Sequence, residues 1–165
     1  MRAMILAAGL GTRLKPFTNY HPKALALVNG KTLLQRNIEY LQDYGIDEVV
    51  VNVHHFADQI VDTINQNKGW GSQVTISDES DEVLETGGGL LRAKHYFENE
   101  AKWLVMNADI LTDLDLGKML EADKAFDALS EGEMVATLAV TNRTTSRNLI
   151  FNTAGTLCGW KNNTT

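Results

Sequence analysis

The residues best suited to chemistry cluster near the start of the chain, in Leu6-Ala-Ala-Gly-Leu-Gly-Thr-Arg-Leu-Lys-Pro-Phe-Thr-Asn-Tyr-His-Pro-Lys23. Gly9 and Gly11 allow a sharp turn and let the backbone come close to a ligand. Successive amide N–H groups in such a turn form a concave anion site. Thr12 adds a hydroxyl donor, and Arg13, Lys15 and Lys23 add positive charge. Pro16 and Pro22 stiffen the arm that carries Lys23. This combination suits a triphosphate whose reacting phosphorus becomes more crowded with charge as a nucleophile attacks. A turn that only reverses the chain has no need for a hydroxyl and clustered cations.

Two familiar phosphate loops fit poorly. A dinucleotide fingerprint requires a third glycine where Leu14 stands, and an acidic residue ending the second strand, where the chain reads Asn52-Val53-His54. Gly30-Lys31-Thr32 hints at a P-loop, but its first glycine would fall at Leu25. Asn29-Gly30 reads instead as a plain turn before a helix. His54 and His55 are adjacent on a strand and point to opposite faces, so they cannot chelate one ion together. His21 and His95 are expected at the surface. Asp113 reads as an N-cap or solvated loop acid.

The elements that must position the loop follow from periodicity. A continuous apolar run at Ala3 to Ala7 and β-rich runs at Glu48 to Val53, Gln73 to Ser77, Trp103 to Met106 and Met134 to Val140 predict strands. Helical spacing predicts helices over Thr32 to Tyr44, with Gly45 as a stop, and over Ala57 to Asn65, Gly89 to Phe97 and Leu116 to Leu129. Leu149 to Asn152 and Thr156 to Trp160 predict a hairpin turned at Ala154-Gly155. Alternating strands and helices imply an α/β fold, Rossmann-like, with a mostly parallel mixed sheet and helices on both faces. Ligands of such sheets bind beyond the carboxyl ends of the strands, so the loops after the first and fourth strands are the places to look.

The 165 residues, 44% apolar, predict one domain, 1–165. A net charge of -6 disfavours a nucleic-acid polymer as partner. The apolar start is too short for a signal-peptide core or a membrane span, and the single cysteine, Cys158, permits no internal disulfide. A cytoplasmic protein is the expectation.

The pattern from Leu6 to Lys23 resembles the signature of the sugar-1-phosphate nucleotidyltransferases. The resemblance continues at Leu84-Glu-Thr-Gly-Gly-Gly89 and at Asn107-Ala-Asp109, and covers essentially the whole chain. It looks nearest to bacterial mannose-1-phosphate guanylyltransferases and N-acetylmuramate-1-phosphate uridylyltransferases. It implies the nucleotide-diphospho-sugar transferase fold, incomplete here at the C-terminus, and a reaction joining a nucleoside triphosphate to a sugar 1-phosphate with release of pyrophosphate. By resemblance, Ala7, Ala8 and Gly9 lie against base and ribose. Gly11, Thr12 and Arg13 hold the departing phosphates, and Lys23 touches the α-phosphate, so Arg13 and Lys23 are the catalytic candidates. Glu85, Thr86 and Gly88 resemble a base-reading loop, although Thr86 would also serve as an N-cap. Asp109 resembles the family's first Mg²⁺ ligand, with Ala108 where glycine is usual. Lys161 is a candidate for the sugar phosphate by position alone.

The family's catalytic domain is longer, and its second metal ligand normally lies further along, so impaired turnover is expected of this chain. The competing readings are a non-catalytic or regulatory nucleotide-binding domain and an NAD-dependent oxidoreductase.

Overall fold

Apolar runs set the strands of this computed structural model, which describes residues 1–82, 84–129 and 134–163. In chain order the elements are β1 (Ala3–Leu6), β2 (Leu27–Val28), β3 (Lys31–Thr32), α1 (Leu33–Gln42), β4 (Glu48–Val53), α2 (Ala57–Gln66), β5 (Gln73–Asp78), α3 (Glu85–Ala93), β6 (Leu104–Asn107), α4 (Leu116–Leu129), β7 (Arg147–Phe151) and β8 (Leu157–Asn162). Short 3-10 turns carry the loop after β1, at Thr12–Leu14, Phe17–Asn19 and Lys23–Leu25.

β1, β4, β5 and β6 form one parallel sheet in the order β5-β4-β1-β6. Successive strand side chains point to opposite faces. Ala3, Met4 and Ile5 are nevertheless all fully buried, so both faces of β1 are covered. This is why its sequence is a continuous apolar run and not an alternating one. On one face Met4 and Val50 pack with Ala93 and Phe97, and Trp103 stacks on Phe97 at 4.1 Å between ring centroids. A fully buried side chain such as Met4 contributes about 1.5–3 kcal/mol.

The helices obey the same logic. α1 buries Leu33, Leu34, Ile38 and Leu41. Its N-cap Thr32 accepts a hydrogen bond from the Gln35 N–H at 3.0 Å. Gly45, at φ +73, reverses the chain after α1, and the Ile46 N–H returns to the Leu41 carbonyl. α2 buries Ile60 and Ile64.

The strand order places the switch point at β1. The chain moves outward from β1 to β4 and β5, then returns to β6 on the other flank of β1. A crevice therefore opens at the carboxyl ends of β1 and β6, at the two loops singled out from sequence.

Four features differ from the sequence reading. Met134 to Val140 does not form a strand; Val135 is 99% exposed and the stretch has no ladder partner among the described residues. Apolar content alone does not make a strand without a neighbour to pair with. α3 begins at Glu85, not Gly89, and its N-cap position is Leu84, so Thr86 is not the cap. The helix from Gly89 to Phe97 is split, its last residues Lys94–Phe97 being a 3-10 turn. Asn29-Gly30 is a turn as expected, but it also closes a two-residue hairpin between β2 and β3, with φ of 47 and 77 at its two centres.

The chain divides into two compact units, Met1–Leu116 and Gly117–Thr165. The first holds the parallel sheet. The second holds most of α4 and the antiparallel β7–β8 hairpin, whose register pairs Leu149 with Trp160 and whose turn contains Gly155 at φ +79. No helix among the described residues is long and apolar enough to cross a membrane.

Candidate functional site

A cavity of about 390 Å3 lies at the carboxyl ends of all four parallel strands. That is within the size range of small-ligand sites. The loop after β1 supplies Leu6 to Arg13, Lys23 and Ala24. β4 supplies Asn52, and the residues just past β4 and β5 supply His54 and Glu79. The start of α3 supplies Leu84, Glu85 and Thr86, and the end of β6 and the loop after it supply Asn107, Ala108 and Asp109.

The β1 loop folds back on itself at Gly11. This residue has φ +61, and a Cβ there would lie 2.9 Å from Thr18 Cγ2 and 3.0 Å from Lys23 Cβ. The Gly11 carbonyl accepts from the Thr18 hydroxyl at 3.0 Å and from the Leu14 N–H at 2.9 Å. Pro22 is extended, and Lys23 opens the next 3-10 turn against Gly11. The arm thereby aims Lys23 at β6, where its Nζ forms an ion pair with Asp109 Oδ2. Both side chains are only partly covered, at 29% and 36% exposed, so a ligand can reach either. Arg13 is exposed at the same wall and has no ion pair among the described residues.

Buried polar side chains fasten these loops from behind. The Ala7 N–H donates to Asn52 Oδ1 at 2.7 Å, and Asn52 Nδ2 donates to Glu79 Oε1 at 2.9 Å. Across β1, the Ala108 N–H donates to the Leu6 carbonyl at 2.9 Å, while Asn37 Nδ2 from α1 donates to the Ala108 carbonyl at 2.8 Å. Asn37, Asn52 and Glu79 are between 1% and 3% exposed. The segment around Glu79 is itself fixed. Asp78 accepts from the Ser80 N–H and hydroxyl, which hold its carboxyl below the usual carboxylate range. Asp81 accepts two hydrogen bonds from Arg92 of α3 and is likewise lowered.

Ala7, Ala8, Gly9, Gly11, Thr12, Arg13, Lys23, Glu85, Thr86 and Asp109 all line this one cavity. Gly88 does not; it sits one turn into α3, where a Cβ would meet Leu84 Cβ at 2.9 Å. Lys161 is exposed on β8 in the second unit, in register with Asn148. His54 lines the cavity and His55 is exposed, but both lie beyond the end of β4 at Val53, so strand alternation does not set their directions. His21, His95 and Asp113 are exposed. Ala108 is buried with both backbone polar groups paired, so the methyl standing in the usual glycine position is accommodated.

Sequence reasoning missed Asn37, Asn52 and Glu79. A signal existed for two of them. Asn37 lies on the apolar stripe of α1, between Leu34 and Ile38, and Asn52 interrupts the apolar run Val49-Val50-Val51-Asn52-Val53. A polar residue at an expected core position needs a partner, and so marks a buried hydrogen bond.

The donor set fits a metal carried by its ligand. Among the described residues no group of three or more His, Cys, Asp or Glu could hold an ion. Asp109 offers one carboxylate at the cavity wall, and Mg²⁺ is commonly bound by one or two carboxylates together with substrate phosphates.

Comparisons with known proteins show the family. The chain is 46% identical over 93 residues to an N-acetylmuramate alpha-1-phosphate uridylyltransferase of Caulobacter vibrioides, covering 55% of this chain and 38% of that one. It is 38% identical over 115 residues to the Neisseria meningitidis protein of the same name, covering 70% and 49%. Among solved structures it is similar to HddC from Yersinia pseudotuberculosis complexed with GMP-PN, with a TM-score of 0.67 and 36% identity, covering 74% of this chain and 53% of that one. The chain thus spans half or less of the length of these two curated relatives. The Nucleotidyl transferase family profile matches residues 2–148, which is most of the chain, and the protein belongs to that family.

Proposed function

We propose that the cavity binds a nucleoside triphosphate with Mg²⁺, and that the site serves transfer of the nucleotidyl group to a sugar 1-phosphate. The observation that carries this reading is the Lys23–Asp109 ion pair, which joins a glycine turn to an acidic loop across one cavity. A sugar phosphate oxygen attacks the α-phosphorus, the bond to the bridging oxygen breaks, and pyrophosphate leaves. Lys23 is placed to stabilise the charge that grows at that phosphorus, since a fixed ammonium favours the transition state over the ground state. Gly11, Thr12 and Arg13 hold the β- and γ-phosphates, and the arms of the turn at Ala7, Ala8 and Gly9 lie against ribose and base. Asp109 is the residue that would hold Mg²⁺, whose role when bound is to neutralise and align the phosphates.

Glu85 and Thr86, exposed at the cavity mouth, are assigned to the base edge; a carboxylate accepts from an N–H of guanine or uracil. Gly88 supports that wall from within α3, and Lys161 is retained for the sugar phosphate on resemblance alone. The two compact units are proposed to belong to one nucleotidyltransferase domain, a reading supported by a family match that runs across their boundary. A cytoplasmic location is supported by the single free cysteine, Cys158.

Calorimetry with UTP, GTP, dTTP, CTP, ATP and NAD, with and without Mg²⁺, tests the binding step. Metal-dependent binding of a triphosphate is expected; binding of NAD without metal, or of no triphosphate, overturns the reading. Pyrophosphate release with a panel of sugar 1-phosphates then separates a catalytic site from a nucleotide-binding module.

A further inference from the structure

The pairing of β1 with β4 is parallel and regular from Ala3 opposite Val49 to Leu6 opposite Asn52. Beyond Leu6 the chain leaves β4 to form the glycine turn. The Ala7 N–H is then bonded not by a β4 backbone carbonyl but by the side chain of Asn52, at 2.7 Å. An amide can present either oxygen or nitrogen. Here Asn52 Nδ2 is committed to Glu79 Oε1 at 2.9 Å, which leaves Oδ1 for Ala7. The Glu79 N–H is in turn tied to the Val53 carbonyl at 2.8 Å, so the acceptor that orients Asn52 is fixed to the strand beside it. The pair also sets the floor of α3. A Cβ on Gly89 would come within 2.8 Å of Glu79 Oε1 and 3.0 Å of Asn52 Nδ2. One buried pair therefore touches both the turn that begins at Ala7 and the glycine-rich start of α3.

We propose that Asn52, oriented by Glu79, is a positioning residue that sets the nucleoside-binding wall of the cavity. The inference rests on the nucleotide-binding reading and assigns part of its affinity to a group outside the loop motifs. The pair acts on the backbone at Ala7 and Gly89, not on Arg13, Lys23 or Asp109. Its loss weakens nucleotide binding and leaves the attraction for the bare phosphates intact. In kinetic terms KM rises while kcat changes little.

The test exchanges hydrogen-bond polarity. In Asn52→Asp, two carboxyl groups face one another where an amide faced a carboxyl. They keep the geometry only while they share a proton, and repel when both ionise. In the double variant Asn52→Asp with Glu79→Gln, the new glutamine amide donates to the new carboxylate and the bond is restored with reversed polarity. Binding of UTP, GTP and inorganic pyrophosphate, each with Mg²⁺, is measured by calorimetry at about pH 5 and about pH 8. The other titratable groups lining the cavity, Arg13, Lys23, His54, Glu85 and Asp109, are common to all three proteins. Comparison with wild type at each pH thus isolates the pair.

The expected result is that N52D binds its preferred triphosphate about tenfold or more weakly than wild type at the higher pH, and recovers at the lower pH. Pyrophosphate affinity stays unchanged, and the double variant removes the pH dependence. Circular dichroism confirms equal folded fractions. If N52D binds as wild type does at both pH values, if pyrophosphate binding falls in parallel, or if the double variant fails to restore affinity, the proposal is overturned while the nucleotide-binding reading stands. If wild type binds no triphosphate, both fall.

Discussion

The loop after β1 and the loop after β6 meet in the Lys23–Asp109 ion pair but reach it by opposite means. The first is long, cationic and glycine-containing, and is held from outside at Ala7 by Asn52 and at Tyr20 by Gln59, but its turn is shaped by its own residues: Gly11 at φ +61, Thr18 bonded to the Gly11 carbonyl, and Pro22 extending the arm. The second is short and acidic, and is held by the rest of the molecule. The Ala108 N–H is taken by Leu6 and the Ala108 carbonyl by Asn37 of α1. A self-folded loop announces itself in a local motif. A loop held from outside does so only weakly.

Substitutions can break that contrast. The largest effect is expected from Lys23→Met, which removes the fixed cation while keeping much of its stem. By analogy with the removal of other charge-stabilising groups, nucleotidyl transfer should slow about 10²–10³-fold. Steady-state pyrophosphate release measures this, and a loss under about fivefold would remove Lys23 from the reaction.

Gly11→Ala comes next. It forces a Cβ into contact with Thr18 and Lys23 at a left-handed backbone position, and should destabilise the chain by about 1–3 kcal/mol in urea denaturation. The corresponding break on the other loop is Asn37→Leu. It leaves the Ala108 carbonyl without its buried donor, at a cost of about 1–3 kcal/mol. If the two loops differ in the way described, Gly11→Ala disturbs amide shifts mainly within residues 11–23. Asn37→Leu disturbs them in both α1 and the β6 loop.

Asp109→Asn sharpens the contrast from the acidic side. The ion pair is partly exposed, so stability should change by less than about 1 kcal/mol. The Mg²⁺ concentration needed for triphosphate binding should nevertheless rise, read by metal titration. A large loss of stability with an unchanged metal requirement would make Asp109 structural.

The smallest effect is that of pH on the segment that carries Glu79. Ser80 holds the Asp78 carboxyl below its ordinary range, by its hydroxyl and then by its amide. That contribution is complete above the ordinary carboxylate pKa and is lost as pH falls through the lowered value in the folded state. The protection factor of the Ser80 amide, measured against its intrinsic exchange rate at each pH, should therefore fall on acidification before global unfolding. A protection factor unchanged down to the global transition would show that the turn does not depend on this carboxylate.

Much of the site was legible because its chemistry is local. Gly9, Gly11, Thr12, Arg13 and Lys23 lie within one segment, and their types and order point to phosphate before any fold is known. β1 and β4 were legible for a related reason, since burial on both faces leaves one pattern available. The run from Met134 to Val140 carries the same kind of pattern and forms no strand, because pairing needs a neighbour that composition cannot supply. The start of α3 was misplaced because glycines weigh against a helix locally. Here Gly88 and Gly89 lie within α3 where Leu84, Asn52 and Glu79 approach too closely for a Cβ.

The amino-acid sequence by itself determined the glycine turn after β1, the central strands and the identity of the charged groups, because each depends on residues a few positions apart. The tertiary structure alone decided that Lys23 meets Asp109 across 86 positions, and that Asn52 and Glu79 stand behind Ala7. Those contacts depend on strand order and on which buried polar atoms are left to satisfy one another, and neither is written in any short stretch of chain.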